Sequence, residues 1–129
     1  MPLPEYSLPV RIYLEDTDAQ GIVYHANYLR YFERARSEIL ESLGIPVRNV
    51  ATVARRYVVY EIRVKFRQPA ALGDKLEVRS TMTRTSEYRL NFHQHIRRDG
   101  DRHPLVVADV GVVCINEAGK VTELPEALA

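Results

Sequence analysis

Asp18 and His25 flank a glycine-containing loop, D-T-D-A-Q-G-I-V-Y-H, directly ahead of the longest periodic stretch of the chain. A carboxylate at the positive end of a helix stays ionised, because the first helical amides lack partners of their own and point at it. It can then serve as a general base or a nucleophile. The same amides can stabilise a developing oxyanion, usually the greatest single contribution to catalysis of acyl transfer. A histidine beside them could orient water, hydrogen-bond a leaving group or move a proton near neutral pH. The spacing equally fits an acid that merely caps a helix. Asp16 and Thr17 compete for the same roles, Asp16 as acceptor of an Asx-type turn closing the loop. Asp16, Asp18 and His25 follow no recognised ligand spacing, so no metal is expected. No glycine-rich phosphate loop, dinucleotide fingerprint, serine elbow or CxxC pair is present, and no cofactor is expected.

The element that must hold these groups is a helix from about residue 26 to 43. Tyr28, Phe32, Ala35, Ile39 and Leu43 recur at steps of three and four, and Leu29 and Leu40 widen the stripe. Arg30, Arg34, Ser37, Glu38 and Glu41 fall opposite. Gly44 and Pro46 form a stop signal, and Asn27 or His25 could supply the N-cap. Glu33 and Arg36 lie on the flank, Glu33 as a surface acid or a brace for the site. Tyr24, Tyr28 and Tyr31 gather at the helix start, either as packing or as a pocket or subunit interface.

Around the helix the chain reads as sheet. Leu8, Val10, Ile12 and Leu14 alternate with polar residues, and Pro9 marks an edge strand or one that begins near it. Residues 47–52 read as linker. Four strand candidates follow, over 54–67, 75–84, 87–97 and 105–115, the last buried in part on both faces and central. Their inward positions include Leu76, Val78 and Met82, then Tyr88, Leu90, Phe92 and Ile96. Asp99-Gly100 sits in a hairpin connection, so short links make the last strands antiparallel neighbours. His93 and His95 share a polar strand face with Arg89, Asn91 and Arg97. Arg63, Lys65 and Arg67 line one strand face, either as solvated surface or as a basic patch for a phosphorylated ligand.

At 129 residues the chain suits one domain, 1–129, of class α+β. Eighteen basic and 17 acidic side chains nearly cancel, which argues against a nucleic-acid binder. Cys114 is the lone cysteine, which excludes an internal disulfide. It reads as a buried thiol within an apolar strand. No signal segment or transmembrane run is visible, and a cytoplasmic location is expected.

The stretch D-T-D-A-Q-G-I-V-Y-H-A-N-Y-L-R-Y-F-E-R-A-R, residues 16–36, resembles the hotdog-fold thioesterases. Within them it is most similar to the 4-hydroxybenzoyl-CoA thioesterase-like branch, and there to the acyl-CoA thioesterases associated with the Tol-Pal system. I-R-V-K-F-R-Q-P-A-A-L-G-D-K-L-E-V, residues 62–78, matches the same family. The resemblance implies a long central helix wrapped by a five- or six-stranded, mainly antiparallel sheet. It implies homodimers or homotetramers with sites at the subunit interface, and hydrolysis of acyl-CoA to free acid and CoA.

The family's acidic catalytic residue falls on Asp18, acting on water or attacking to form an anhydride, and its histidine on His25, positioning water or thioester. The oxyanion-stabilising amide falls on His25 or its neighbour Ala26. Gly21 matches the loop glycine, and Tyr28 and Glu33 match structural or supporting positions. The nucleotide would meet Arg63, Lys65 and Arg67. Gln20 departs from the small residue common in relatives, and either narrows the pocket mouth or points out. The branch with a catalytic glutamate on the helix fits less well, since this chain carries D-T-D before it. Rival readings are an acyl-carrier-protein thioesterase, another acyl-thioester enzyme such as a hydratase, and a non-catalytic thioester-binding or scaffold protein. Acyl length and type are not legible, because small apolar differences discriminate weakly.

Overall fold

A computed structural model describes residues 5–45 and 55–128. In chain order it contains β1 (Tyr6–Arg11), a 3-10 turn (Leu14–Asp16), α1 (His25–Ser42), β2 (Arg56–Phe66), β3 (Lys75–Arg84), β4 (Arg89–Arg98), β5 (Pro104–Ile115) and a last 3-10 turn (Glu126–Leu128). The strands form one sheet in the order β1-β3-β4-β5-β2, with every neighbouring pair antiparallel. The expected edge role of the first strand holds, and Pro9 sits within it opposite Glu77. β5 is interior as expected. The linker 47–52 and Pro46 lie outside the described residues.

The helix forms because one stripe of it is apolar and one is charged. Tyr28, Tyr31, Phe32, Ala35, Ile39 and Leu40 are buried. They meet the inner face of the sheet, where Met82, Phe92 and Ile96 are fully enclosed. Its end is a Schellman closure: Ile45 N–H bonds Leu40 O at 2.9 Å, Gly44 N–H bonds Glu41 O at 3.0 Å, and Gly44 takes φ +77°. Ile45 is buried with Leu40, the apolar contact that usually accompanies such a closure.

Four local expectations need correction. Leu14 does not continue the alternation, since the chain tightens into a 3-10 turn there and leaves it 74 % exposed. Leu29 does not widen the buried stripe; it lies on the flank away from the core and is exposed. Tyr88 precedes β4, beyond the strand's alternation, and is exposed. The N-cap is Tyr24, and neither His25 nor Asn27 caps with its side chain.

One inner-face residue is polar. Gln94 is buried, accepts Arg36 Nη1 at 3.0 Å, and donates to Phe32 O at 3.0 Å and Ser80 Oγ at 2.9 Å. Its amide is thus satisfied on both ends, as burial requires, and it fixes where α1 sits on β3 and β4. Elsewhere the sheet depends on a missing side chain. A bulge between Val59 and Glu61 turns Tyr60 over Gly111, where an added Cβ would stand 2.7 Å from the ring, and Arg89 stacks on that ring at 4.9 Å.

The face turned away from α1 is charged. Glu77 gathers Ser7, Arg79 and Arg97, Arg79 also pairs with Glu5, and His93 pairs with Asp109. His95 stands opposite Arg79. Burial holds its imidazole below the ordinary 6.5, and the charges of Arg97 and Arg79 add to this against Glu77. The folded value is the lower one, so below about pH 6.5 the unfolded chain binds more protons and stability falls with falling pH. His95→Gln is expected to flatten that decline. Urea midpoints of both proteins at about pH 7 and about pH 5.5 check it. Equal losses would rule His95 out.

Candidate active site

The loop before α1 is a small hairpin clamped at its base. Asp16 Oδ2 accepts Tyr13 N–H at 2.8 Å, and Thr17 Oγ1 bonds Leu14 O at 2.8 Å. Asp16 thus closes a turn behind itself, three residues back, rather than the Asx turn expected of it. The Asx turn belongs to Asp18, whose Oδ1 accepts Gln20 N–H at 2.8 Å. Thr17 bridges Val23, Asp18 N–H bonds Ile22 O at 2.9 Å, and Gly21 N–H returns to Asp18 O at 3.0 Å. Gly21 has φ +78°, a conformation that favours glycine. One oxygen of the exposed Asp18 carboxylate is therefore held, and the other has no protein partner among the described residues. Gln20 acts through its main chain, and its side chain lies in solvent.

Helix α1 starts against this hairpin. Tyr24 N–H bonds Asp16 O at 3.0 Å and Asn27 N–H bonds Tyr24 O at 2.8 Å. That leaves the amides of His25 and Ala26, the first two helical positions, with no acceptor among the described residues. Unpaired amides at a helix start are suited to hold an oxyanion, and the hairpin that leads into them carries the Asp18 carboxylate. The His25 ring is exposed and makes no hydrogen bond to Asp18 among the described residues. It packs on Tyr24 at 4.5 Å between centroids and meets Phe66 edge-on at 6.2 Å.

A second segment backs the hairpin. Val23 N–H bonds Ala70 O at 2.9 Å, Ile22 bridges Ala71, and Leu72 N–H reaches Gly21 O at 3.3 Å. The buried Tyr28 hydroxyl accepts Ala70 N–H at 2.9 Å. Burial raises the Tyr28 phenol, outweighing the lowering by that bond and by Arg98. Asp74 then locks the segment, accepting Ala71 N–H and Arg98 Nε, while Arg98 Nη2 bonds Pro69 O. The two sequence stretches at 16–36 and 62–78 are therefore halves of one structure.

Asp18, Gly21, His25, Ala26 and Tyr28 gather at one junction. Glu33 does not join them: it lies two turns along α1, exposed, and accepts the Ser37 hydroxyl at 3.0 Å. Arg63 and Lys65 face away from the junction. They stand opposite Asp109 and Val107 on the outer face of the sheet, whereas Phe66, in the other phase of the alternation, reaches His25 and Tyr28 from the inner face. Arg67 follows β2 and bonds Leu105 O through its amide. Phe66 and Ala70 were not singled out for the site in the sequence, and Asn27 was considered only as an N-cap. Phe66 and Ala70 fall inside the stretch 62–78, which was the available signal for them.

Comparison with known proteins agrees with this geometry. Residues 12–129 match the family model of the thioesterase-like superfamily. The acyl-CoA thioester hydrolase YbgC of Escherichia coli is 38 % identical over 108 residues, covering 84 % of this chain and 80 % of that one. The acyl-CoA thioesterase YbgC of Haemophilus influenzae is 36 % identical over 112 residues, 86 % of this chain and 81 % of that one. Among solved structures, a 1,4-dihydroxy-2-naphthoyl-CoA thioesterase from Synechocystis superposes with TM-score 0.89 at 27 % identity, covering 96 % of this chain and 92 % of that one. One helix on a five-stranded antiparallel sheet is the hotdog arrangement expected of such relatives.

Proposed function

The chain belongs to the thioesterase-like superfamily, and on that premise we propose that it hydrolyses acyl-CoA thioesters to a free acid and CoA. The observation that carries the reading is the junction itself, a hairpin that leaves one Asp18 oxygen free and leads into the two unpaired amides of His25 and Ala26. The thioester carbonyl oxygen points at those amides. Asp18 takes a proton from water as the water oxygen bonds the carbonyl carbon, or attacks that carbon itself to form an anhydride that water opens to the free acid once the thiolate has left. The oxyanion collapses, the C–S bond breaks and the thiolate leaves, with His25 positioning the water or the thioester. Tyr28 and Gly21 hold the hairpin in place, and Glu33 acts on the helix rather than on the substrate.

The site is completed by a second copy. β2 is an edge strand of 11 residues whose Val58, Val59, Tyr60, Ile62 and Phe66 are exposed. An open, apolar edge of that length pairs readily with another strand. A substrate passing between two such edges would run from the Phe66 side to the outer face, where Arg63, Lys65 and Arg67 would meet its phosphates. The whole of 1–129 works as one domain. No helix among the described residues is long and apolar enough to cross a membrane, and the reading assigns the protein to the cytoplasm, where acyl-CoA is made and used.

Thiol release from a panel of acyl-CoAs and acyl-carrier proteins tests the activity. Saturable CoA release is expected, and silence across chain lengths would overturn it in favour of a binding protein. Sedimentation that gives only monomer at micromolar concentration would overturn the shared site.

A further inference from the structure

One side chain ties the two halves of the junction together. The Asp16 carbonyl oxygen accepts two bonds, from Tyr24 N–H at 3.0 Å and from Asn27 Nδ2 at 2.8 Å. Both of its lone pairs are thereby used. Asn27 stands in the first turn of α1, one residue after the unpaired amide of Ala26, and its own N–H closes that turn on Tyr24 O. Asp16 stands two residues before Asp18. The half-buried Asn27 amide thus joins the first turn of α1, with the amides of His25 and Ala26, to the hairpin that carries the carboxylate.

The anchor point is itself held firmly. Asp16 Oδ2 is fixed by Tyr13 N–H at 2.8 Å, and the carbonyl of the same residue takes the two bonds from Tyr24 and Asn27. Beyond the anchor, the Thr17–Val23 bridge and the bond from Asp18 N–H to Ile22 O carry the position on to Asp18. Asn27 reaches Asp16 across 11 positions of sequence, so this bond is no ordinary local cap.

We propose that Asn27 is a positioning residue: through the Asp16 carbonyl it sets the separation between the free Asp18 oxygen and the amides of His25 and Ala26. The inference rests on the proposed thioesterase reading. It follows from how steeply rate depends on placement, since a misplacement of about 1 Å can cost on the order of 100-fold. The Asn27 side-chain amide is taken up by the Asp16 carbonyl, so its loss should act on turnover rather than on binding.

The test measures kcat and KM for acyl-CoA hydrolysis, with thermal melting, in the wild type, Asn27→Ala, the near-isosteric Asn27→Asp, Asp18→Asn and the double variant Asp18→Asn/Asn27→Ala. Both Asn27 variants are expected to lose about 10-fold or more in kcat with KM within about 2-fold. Asn27→Asp turns a donor toward a carbonyl into an acceptor and keeps the shape, so it answers the question even if the alanine variant folds poorly. In the Asp18→Asn background the Asn27→Ala change is expected to cost less than about 2-fold, since there is no longer a base to position. A kcat within about 2-fold of wild type in Asn27→Asp overturns the proposal, as does an undiminished loss in the double variant. If Asp18→Asn alone keeps the full rate, the assignment of Asp18 fails first, whatever Asn27 does.

Discussion

Asp18→Asn is expected to lower kcat for thioester hydrolysis by about 100- to 10,000-fold, the usual range for a positioned general base. The substitution keeps the shape of the side chain. Its Oδ1 can still accept Gln20 N–H, the bond that now fixes the carboxylate at 2.8 Å, so the hairpin should stand. What disappears is the charge on the second oxygen, the one with no protein partner among the described residues. Binding of the CoA portion does not involve that oxygen, and KM should change little. Steady-state thiol release, with a melting curve to show an intact fold, measures the effect. Full activity in the variant would remove Asp18 from the mechanism. The two routes left open for Asp18 separate in a single turnover in ¹⁸O-water run with excess enzyme. Label reaches the Asp18 carboxylate only if an anhydride forms and water opens it at the Asp18 carbon. Label confined to the product acid fits direct attack by water, or anhydride opening at the acyl carbon, and acyl label retained on the protein after rapid quench then tells these apart.

Phe32→Ala is expected to destabilise the fold by about 3–5 kcal/mol, the range for deleting a large buried aromatic side chain. Phe32 has no exposed surface, and the Gln94 amide bonds its carbonyl. Neighbours drawn from both the helix and the sheet cannot all collapse into the space left. Leu29→Ala, three positions earlier on the exposed flank, should cost at most about 1 kcal/mol. Urea unfolding of both variants decides between them. A similar cost for the two would mean that the helix is seated with a different face on the sheet.

That pair of residues also shows how far the sequence could be read. The steps of three and four through Tyr28, Phe32, Ala35 and Ile39 located the helix and its buried side, because burial on a helix repeats with the turn. They could not decide the flanks. Leu29 is apolar yet faces out, and Tyr31 carries a hydroxyl yet is buried, because the flank that gets covered is set by where β1 and the 3-10 turn lie. The alternation at Leu8 to Ile12 was legible for the same reason, and it misled at Leu14, where a turn replaced the strand. Strand order was beyond reach. Nothing local tells that β2 ends up beside β5 at the far edge, and without that Phe66 could not be connected to His25. The loop D-T-D was legible as a place for chemistry from residue types, while the roles of Asp18 and His25 came from resemblance. Which atoms are left free, the Asp18 Oδ2 and the amides of His25 and Ala26, followed only from hydrogen bonds made by residues around them.

The bonds that support the hairpin come from residues made much later in synthesis: Val23 to Ala70, Gly21 to Leu72, Ile12 to Gly73 and Asp74. Closing such a long stretch of chain costs entropy before any contact repays it. The helix can form as soon as its own residues exist, but the carboxylate and the amides are not held at a fixed separation until β1 has paired with β3 and brought the 69–74 segment alongside. A nascent or partly refolded chain is therefore expected to gain helical content before hydrolytic competence, which circular dichroism and thiol release followed together during refolding would check.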